Sequence, residues 1–423
     1  MRVLKNMAIY MGGSMANQLV ALVVLPILTR YLSPGEYGSV ALFTAFVGFA
    51  APVVGMSMKT HIARNFFKVT RERMAHISWN TFIAVTANLL VLAGLSVGLA
   101  AAFPATVDAV VGLSALWIAV ALLTAWAQSV SAHLTTFLRV QGRPLPYASF
   151  EFLFAGFNLA LSLFFVVACG WGWRGRAAGF AVSAAAAAVA AVTALRRMGY
   201  LAGRVEGGLM RHLYRICLPL VPHAFAGQIT TMSSRFFLNG IAGLEAVGLY
   251  AVGHTFGTLV NMPVDAFNNA WTPWVYKRLA AHNSQSDREI ARVWLLVSAG
   301  LVALWLFMVA AAPLALRWIT NPRYHSAEAY IGWVALAFAL QGMYVLLTPI
   351  LIDEGKTDAL AIISFAVAGT SLALNYGLIH LAGGLGAAYT LVLCSGLRLA
   401  LVFAYLRRVR PMPWLTAFAR NTP

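Results

Sequence analysis

About a dozen times along its length the chain runs apolar for twenty residues or more, then breaks at Pro, Gly or clustered charge. Roughly twenty apolar residues at 1.5 Å rise cross a bilayer core, so this recurrence describes a membrane bundle and not one anchor on a soluble body. Composition agrees. Of 423 residues 61% are hydrophobic and 10% charged, with a mean hydropathy of +0.77, whereas soluble domains carry about 25% charged residues. The fold class read from this pattern is an all-α membrane protein.

The expected spans are 6–30, 37–66, 77–102, 109–138, 146–169, 177–197, 213–239, 244–277, 290–315, 327–352, 358–380 and 384–406. The basic, apolar start resembles a signal peptide, but its run continues to Leu28 with no small-residue cleavage site and carries Asn17 and Gln18. It reads as a retained first helix. Cys169, Cys217 and Cys394 lie far apart in apolar runs with no CxxC spacing and read as small core residues; no metal site is expected.

The formal charge of +17 does not point to nucleic acid, because the cations gather at alternate ends of the spans. With the N terminus inside, 23 of the 30 Lys and Arg fall on the inner side, 6 on the outer side and Arg398 within the last span. The positive-inside rule then places both termini of a multi-pass membrane protein in the cytoplasm. PILTRYLSPGEYG, residues 26–38, is the first outward hairpin. The outward loops are short and leave little room for an outer-face catalytic constellation.

Six spans return the chain to the side it left. Placing Gly38 on Gly248 aligns EYGSVALFTAF with AVGLYAVGHTF, so two six-helix bundles, 1–203 and 204–423, are expected to be related by a parallel repeat about the membrane normal. In span 8, His254, Thr258, Asn261, Asp265, Asn268 and Thr272 follow at steps of 4, 3, 4, 3 and 4, which puts them on one helix face. An intramembrane acid is costly against lipid, so this face predicts an internal cavity. Asn6, Tyr10, Gly13 and Asn17 in span 1, and Gln228, Thr231 and Arg235 in span 7, form similar faces. Span 2 leads from small residues to Lys59, His61 and Arg64. Each has a blander reading: terminal cations snorkel to headgroups, Asn17 and Gln18 bond between helices, and Arg398 neutralises Asp265, Asp353 or Glu354.

An amphipathic first span ending in PILTRYLSPGEYG, a second opening GSVALFTAF and the later VDAFNNAWTPWVYKRLA resemble the Wzx-type polysaccharide biosynthesis proteins of the multidrug/oligosaccharidyl-lipid/polysaccharide exporter superfamily. The resemblance implies a flippase, not an enzyme, that carries undecaprenyl-diphosphate-linked oligosaccharide to the outer leaflet for O-antigen, lipopolysaccharide, capsule or exopolysaccharide assembly. It implies a membrane setting, with polysaccharide assembly proteins such as a polymerase and a chain-length regulator as partners and no nucleic acid. It assigns Lys59 and Arg64 to the phosphates, and Asn261, Asp265, Asn268 and Asn269 to sugar hydroxyls or a coupling cation. No cofactor is implied; coupling to H+ or Na+ stays open. Asn17, His61, Gln228 and Arg398 complete the candidate substrate-binding set. Rival readings are a drug/cation antiporter of the same superfamily, which would want clustered membrane acids, and a glycan polymerase or ligase, which would want large outer loops.

Overall fold

The computed structural model describes residues 12, 20, 22–103, 111–280 and 283–414, without the side chains of Ala100 and His223. Every regular element among them is helical. In chain order these are α1 (Leu22–Tyr31), α2 (Pro34–Gly55), α3 (Met58–Asn65), α4 (Arg71–Ala102), α5 (Ala115–Val140), α6 (Pro144–Leu163, continued by a π turn over Phe164–Ala168) and α7 (Gly172–Arg197). There follow α8 (Gly207–Cys217), α9 (Leu220–Gly257), α10 (Asn261–Leu279), α11 (Ser284–Ile319), α12 (Glu328–Asp353), α13 (Thr357–Ala382) and α14 (Gly384–Val409). The expected spans fall on these helices; of the first, only Gly12, Val20 and the part from Leu22 lie within the described residues.

The hairpin over residues 26–38 contains a helix start written in four residues. Ser33 N-caps α2, its hydroxyl accepting from the Glu36 amide at 3.3 Å while the Glu36 carboxylate accepts from the Ser33 amide at 3.0 Å. Pro34 occupies the first helical position, where no N–H is needed. Charge in this loop therefore serves helix initiation.

Two breaks matter for function. Pro52 lies inside α2, and the helix ends three residues beyond it at Gly55. Met56 and Ser57, neither of them glycine, then adopt left-handed φ values of 44° and 53° before α3 begins. Such conformations cost about 1–3 kcal/mol each and persist only where neighbours enforce them. Span 2 is thus two helices set at an angle. Span 7 and the first part of span 8 run together as α9, broken at Gly243 with φ of 83° and ψ of 172°, within the interval the sequence leaves between 239 and 244.

Residues 207–217, expected in part to begin span 7, form the separate helix α8. Pro219 has no N–H to continue it. Leu209, Leu213 and Cys217 are buried on one side, while Arg211, His212 and Arg215 are exposed. Of the cysteines expected in the core, Cys217 and Cys394 are buried; Cys169 is exposed, because it caps the π turn where α6 gives way to a loop.

Contacts divide the chain into two compact units, Met1–Gly248 and Leu249–Pro423. The core of the first unit is built from Phe43, Val54, Ala121 and Leu122 toward one end and Ile62, Phe137, Ala188 and Leu213 toward the other. Small residues let its backbones approach: a Cβ on Gly179 of α7 would overlap the Ser162 backbone of α6. In the second unit three indoles donate to carbonyls of α12, Trp271 to Leu346 at 2.8 Å, Trp294 to Met343 at 3.1 Å and Trp305 to Gly332 at 2.9 Å. Three helices close alike: α5 with the Arg143 amide on Leu138, α7 with the Tyr200 amide on Leu195 and α12 with the Lys356 amide on Leu351, each after a left-handed glycine, Gly142, Gly199 or Gly355.

Candidate functional site

A cavity of about 380 Å³ lies in the first unit beneath the break in span 2. Its polar wall comes from Lys59 of α3, Thr81 of α4, Gln128, Ser129 and His133 of α5, and Gln228 of α9. No carboxylate is among the described residues that line it. Lys59, exposed at its edge and with no acid beside it, gives the lining a positive character that suits anions or hydroxyls better than cations.

The backbone break delivers Lys59. With Pro52 in the last turn, the carbonyl of Val54 is left at a helix end, and Asn88 of α4 donates to it at 3.0 Å. The Asn88 carbonyl oxygen in turn accepts from the Tyr214 hydroxyl of α8 at 2.8 Å. Three helices thereby pin the left-handed Met56–Ser57 pair. Small residues open the space beside it: a Cβ on Gly55 would press to 3.1 Å on the Ser129 hydroxyl, and one on Gly48 would meet Gln228 at 3.4 Å.

Two wall groups await partners. Thr81 is 1% exposed, and its hydroxyl, like the Gln228 carbonyl oxygen, is buried with no hydrogen bond among the described residues. A buried polar atom left unmade costs about 1–3 kcal/mol, which a ligand or water in the cavity would recover. His133 is held by the Ser78 hydroxyl at 3.1 Å and stacks on Phe137 at 5.6 Å. Sequence reading passed over Thr81, Gln128 and His133. The signal was present, since QSVSAH at residues 128–133 is a polar run in the middle of an apolar span.

The predicted site residues distribute as follows. Lys59 and Gln228 meet at the cavity. His61 is buried on α3, its ring 6.0 Å from that of His212 and its carbonyl accepting from Asn65 at 2.8 Å, while Arg64 is exposed on the same helix. Asn17, with the rest of the span 1 polar face, lies outside the described residues. Asn261, Asp265, Asn268 and Asn269 lie on α10 in the second unit; Asp265 and Asn269 are exposed, and the Asn268 carbonyl oxygen accepts from Thr272 at 3.3 Å. Arg398 of α14 is 7% exposed, donates to Gln341 at 3.3 Å and lies 5.6 Å over the Tyr344 ring. Glu354, one of its expected partners, accepts from Arg410 at 2.7 Å.

The span 8 stripe, expected on one face, is divided by a 3-10 turn over Thr258–Val260. Pro263 has no N–H for the Leu259 carbonyl, and each 3-10 residue advances about 120° instead of 100°. His254 consequently packs in the core, 5.4 Å from Phe338 and 5.8 Å from Tyr250, while the stripe from Asn261 onward is half-buried to exposed.

The fold aligns with solved transporters along almost its whole length. A multidrug resistance MATE family transporter of the MOP superfamily in its inward-facing conformation superposes with a TM-score of 0.72 over 95% of this chain and 94% of that one, at 15% identity. A MOP superfamily transporter from Pyrococcus furiosus gives 0.62 over 96% and 95%, at 18% identity. The class is therefore a multi-pass membrane protein with the MOP superfamily transporter fold, all-α, with about twelve spans in two six-helix halves. The polysaccharide biosynthesis protein family profile matches residues 3–279, and the chain belongs to that family, as its first two spans suggested. The MatE profile matches residues 219–377. The Lsg locus protein 1 of Haemophilus influenzae is 22% identical over 376 residues, 85% of this chain and 87% of that protein.

Proposed function

We propose that this protein is a flippase that moves an undecaprenyl-diphosphate-linked oligosaccharide from the inner to the outer leaflet of the cytoplasmic membrane, for surface polysaccharide assembly. The observation that carries the reading is the polar cavity, in which Lys59 stands with the Thr81 and Gln228 oxygens that have no hydrogen bond, and no acid beside them, among the described residues. A diphosphate headgroup crosses hydrocarbon slowly because its charges must be desolvated, and a hydrated, basic-lined passage removes most of that barrier. An inside-negative potential favours outward movement of an anion by about 2.3 kcal/mol per charge per 100 mV, so transport needs no chemical step in the protein.

In this reading residues 1–203 and 204–423 are the two lobes, both termini are cytoplasmic, and Arg64, Asn261, Asn268 and Asn269 extend the substrate path. Asp265 is the residue assigned to any H+ or Na+ coupling. Membership in the polysaccharide biosynthesis family supports a glycolipid substrate. The second reading, a drug/cation antiporter, draws on the MATE transporters among the structural neighbours; the acid-free cavity weighs against it.

The deciding experiment deletes the protein and probes spheroplasts for lipid-linked oligosaccharide. Accumulation on the cytosolic leaflet, relieved by wild type and not by Lys59→Ala, is expected. Normal export with loss of cation or drug efflux would replace the flippase with the antiporter.

A further inference from the structure

A second pocket, of about 480 Å³, sits at one end of the first unit and is unrelated to the cavity above. It is framed by the start of α4, the turn joining α5 to α6, and the end of α7. Successive spans alternate in direction, so these ends share one membrane surface. The positive-inside distribution makes that surface the cytosolic one.

We propose that this pocket, formed by Arg71, Gln141, Arg143, Phe66, Phe67 and Tyr200, binds the glycerophosphate headgroup of an anionic phospholipid. Arg71 is set in place by donating to the Met198 carbonyl at 2.8 Å and by lying 5.7 Å over the Tyr200 ring. Arg143 is exposed on a turn fixed by amide bonds from Gly142 to Arg139 and from Arg143 to Leu138. No carboxylate among the described residues lines the pocket; Glu72, next in sequence to Arg71, does not line it, and Glu206 is committed to Arg73 and His76. Two guanidinium groups facing one hollow at headgroup depth select phosphate.

Two further features narrow the ligand. The Gln141 carbonyl oxygen is buried with no hydrogen-bond partner among the described residues, so it calls for a donor beside the phosphate. A glycerol hydroxyl supplies one, whereas an ethanolamine headgroup would set an ammonium against two arginines. Phe67, 78% exposed and packed edge-on to Phe66 at 5.0 Å, offers an apolar rest where acyl chains leave the headgroup. The site requires only that the chain spans a bilayer, and so stands or falls apart from the transport reading.

The test is native mass spectrometry of the full chain in detergent, titrated separately with phosphatidylglycerol, phosphatidylethanolamine and undecaprenyl diphosphate. Phosphatidylglycerol is expected to bind at lower concentration than phosphatidylethanolamine. Arg143→Gln should weaken that binding about fivefold, Arg143→Lys should keep part of it, and Arg215→Gln, outside the pocket, should leave it unchanged. Gln141→Met, which keeps both arginines, should also erase the preference. Equal binding of the two phospholipids, or an unchanged titration in both Arg143→Gln and Gln141→Met, overturns the proposal. Tighter, Arg143-dependent binding of undecaprenyl diphosphate also overturns it, in favour of the lipid carrier.

Discussion

Gly38 and Gly248 pack backbone to backbone: a Cβ on Gly38 would overlap the Leu244 carbonyl, and a Cβ on Gly248 would overlap the Pro34 carbonyl. Pro34 stands to Gly38 as Leu244 stands to Gly248 in the repeat, so each glycine touches the counterpart of its partner's neighbour. Two residues matched by sequence alone therefore lie against each other.

Gly38→Ala or Gly248→Ala is expected to cost about 1–3 kcal/mol through overpacking against rigid backbone. Gly35→Ala, whose added carbon would meet only the Leu244 side chain at 4.0 Å, is the matched control. Thermal unfolding in detergent should show a lower midpoint for the first two variants and little change for the third.

Lys59→Ala removes the cavity's cation. Loss of a charged hydrogen bond worth about 1.5–3 kcal/mol should weaken headgroup binding by about 10-fold to 100-fold, with insertion and abundance normal because Lys59 is exposed. Complementation of surface glycan in a deletion strain measures this. Asp265→Asn is expected to lower export in the same assay and to blunt its dependence on the ion gradient.

Asn88→Ala breaks the link from Tyr214 to the Val54 carbonyl and strands both groups, at a cost of about 1–3 kcal/mol each. Tyr214→Phe removes one bond only and should cost about 0.5–1.5 kcal/mol. Both should relax the Met56–Ser57 turn. Reaction of a cysteine placed at Ser57 with a thiol reagent, in a background lacking the native cysteines, should rise in the order wild type, Tyr214→Phe, Asn88→Ala.

Glu206 straps the connector after α7 to α4, with Arg73 at 2.9 Å, His76 at 2.7 Å and its own amide on Asn80 at 2.9 Å. The hydrogen bond from Arg73, then that from His76, holds its carboxyl below the ordinary glutamate value. A carboxylate with a depressed folded-state pKa adds stability above its unfolded pKa and loses it as pH falls through the folded one. Melting temperatures of wild type and Glu206→Gln should therefore differ at neutral pH and converge below about pH 4. A gap that persists at low pH would remove the ion pair as its cause.

Much of this was written locally. The expected break near residue 240 is the Gly243 kink, because glycine and flanking charge interrupt an apolar run whatever surrounds it. The start of α2 is legible in Ser33, Pro34 and Glu36, since a capping box closes on itself within one turn. The break at Met56 and Ser57 is different: neither residue favours a left-handed backbone, and only Pro52 hints at it. Asn88, 34 residues away, supplies the group that holds it. Helical spacing likewise found the span 8 stripe but not the 3-10 turn that divides it, because a regular period presumes an unbroken helix.

The sequence by itself determined the membrane setting, the number of spans, their helical form and the repeat, because each follows from transfer free energy and backbone bonding within single segments. Only the tertiary structure decided which polar groups share a cavity. Lys59, Thr81, His133 and Gln228 come from four helices, and their meeting depends on how those helices pack against one another. No local rule carries that information, since one residue of helical rotation turns a side chain about 100° from cavity to lipid.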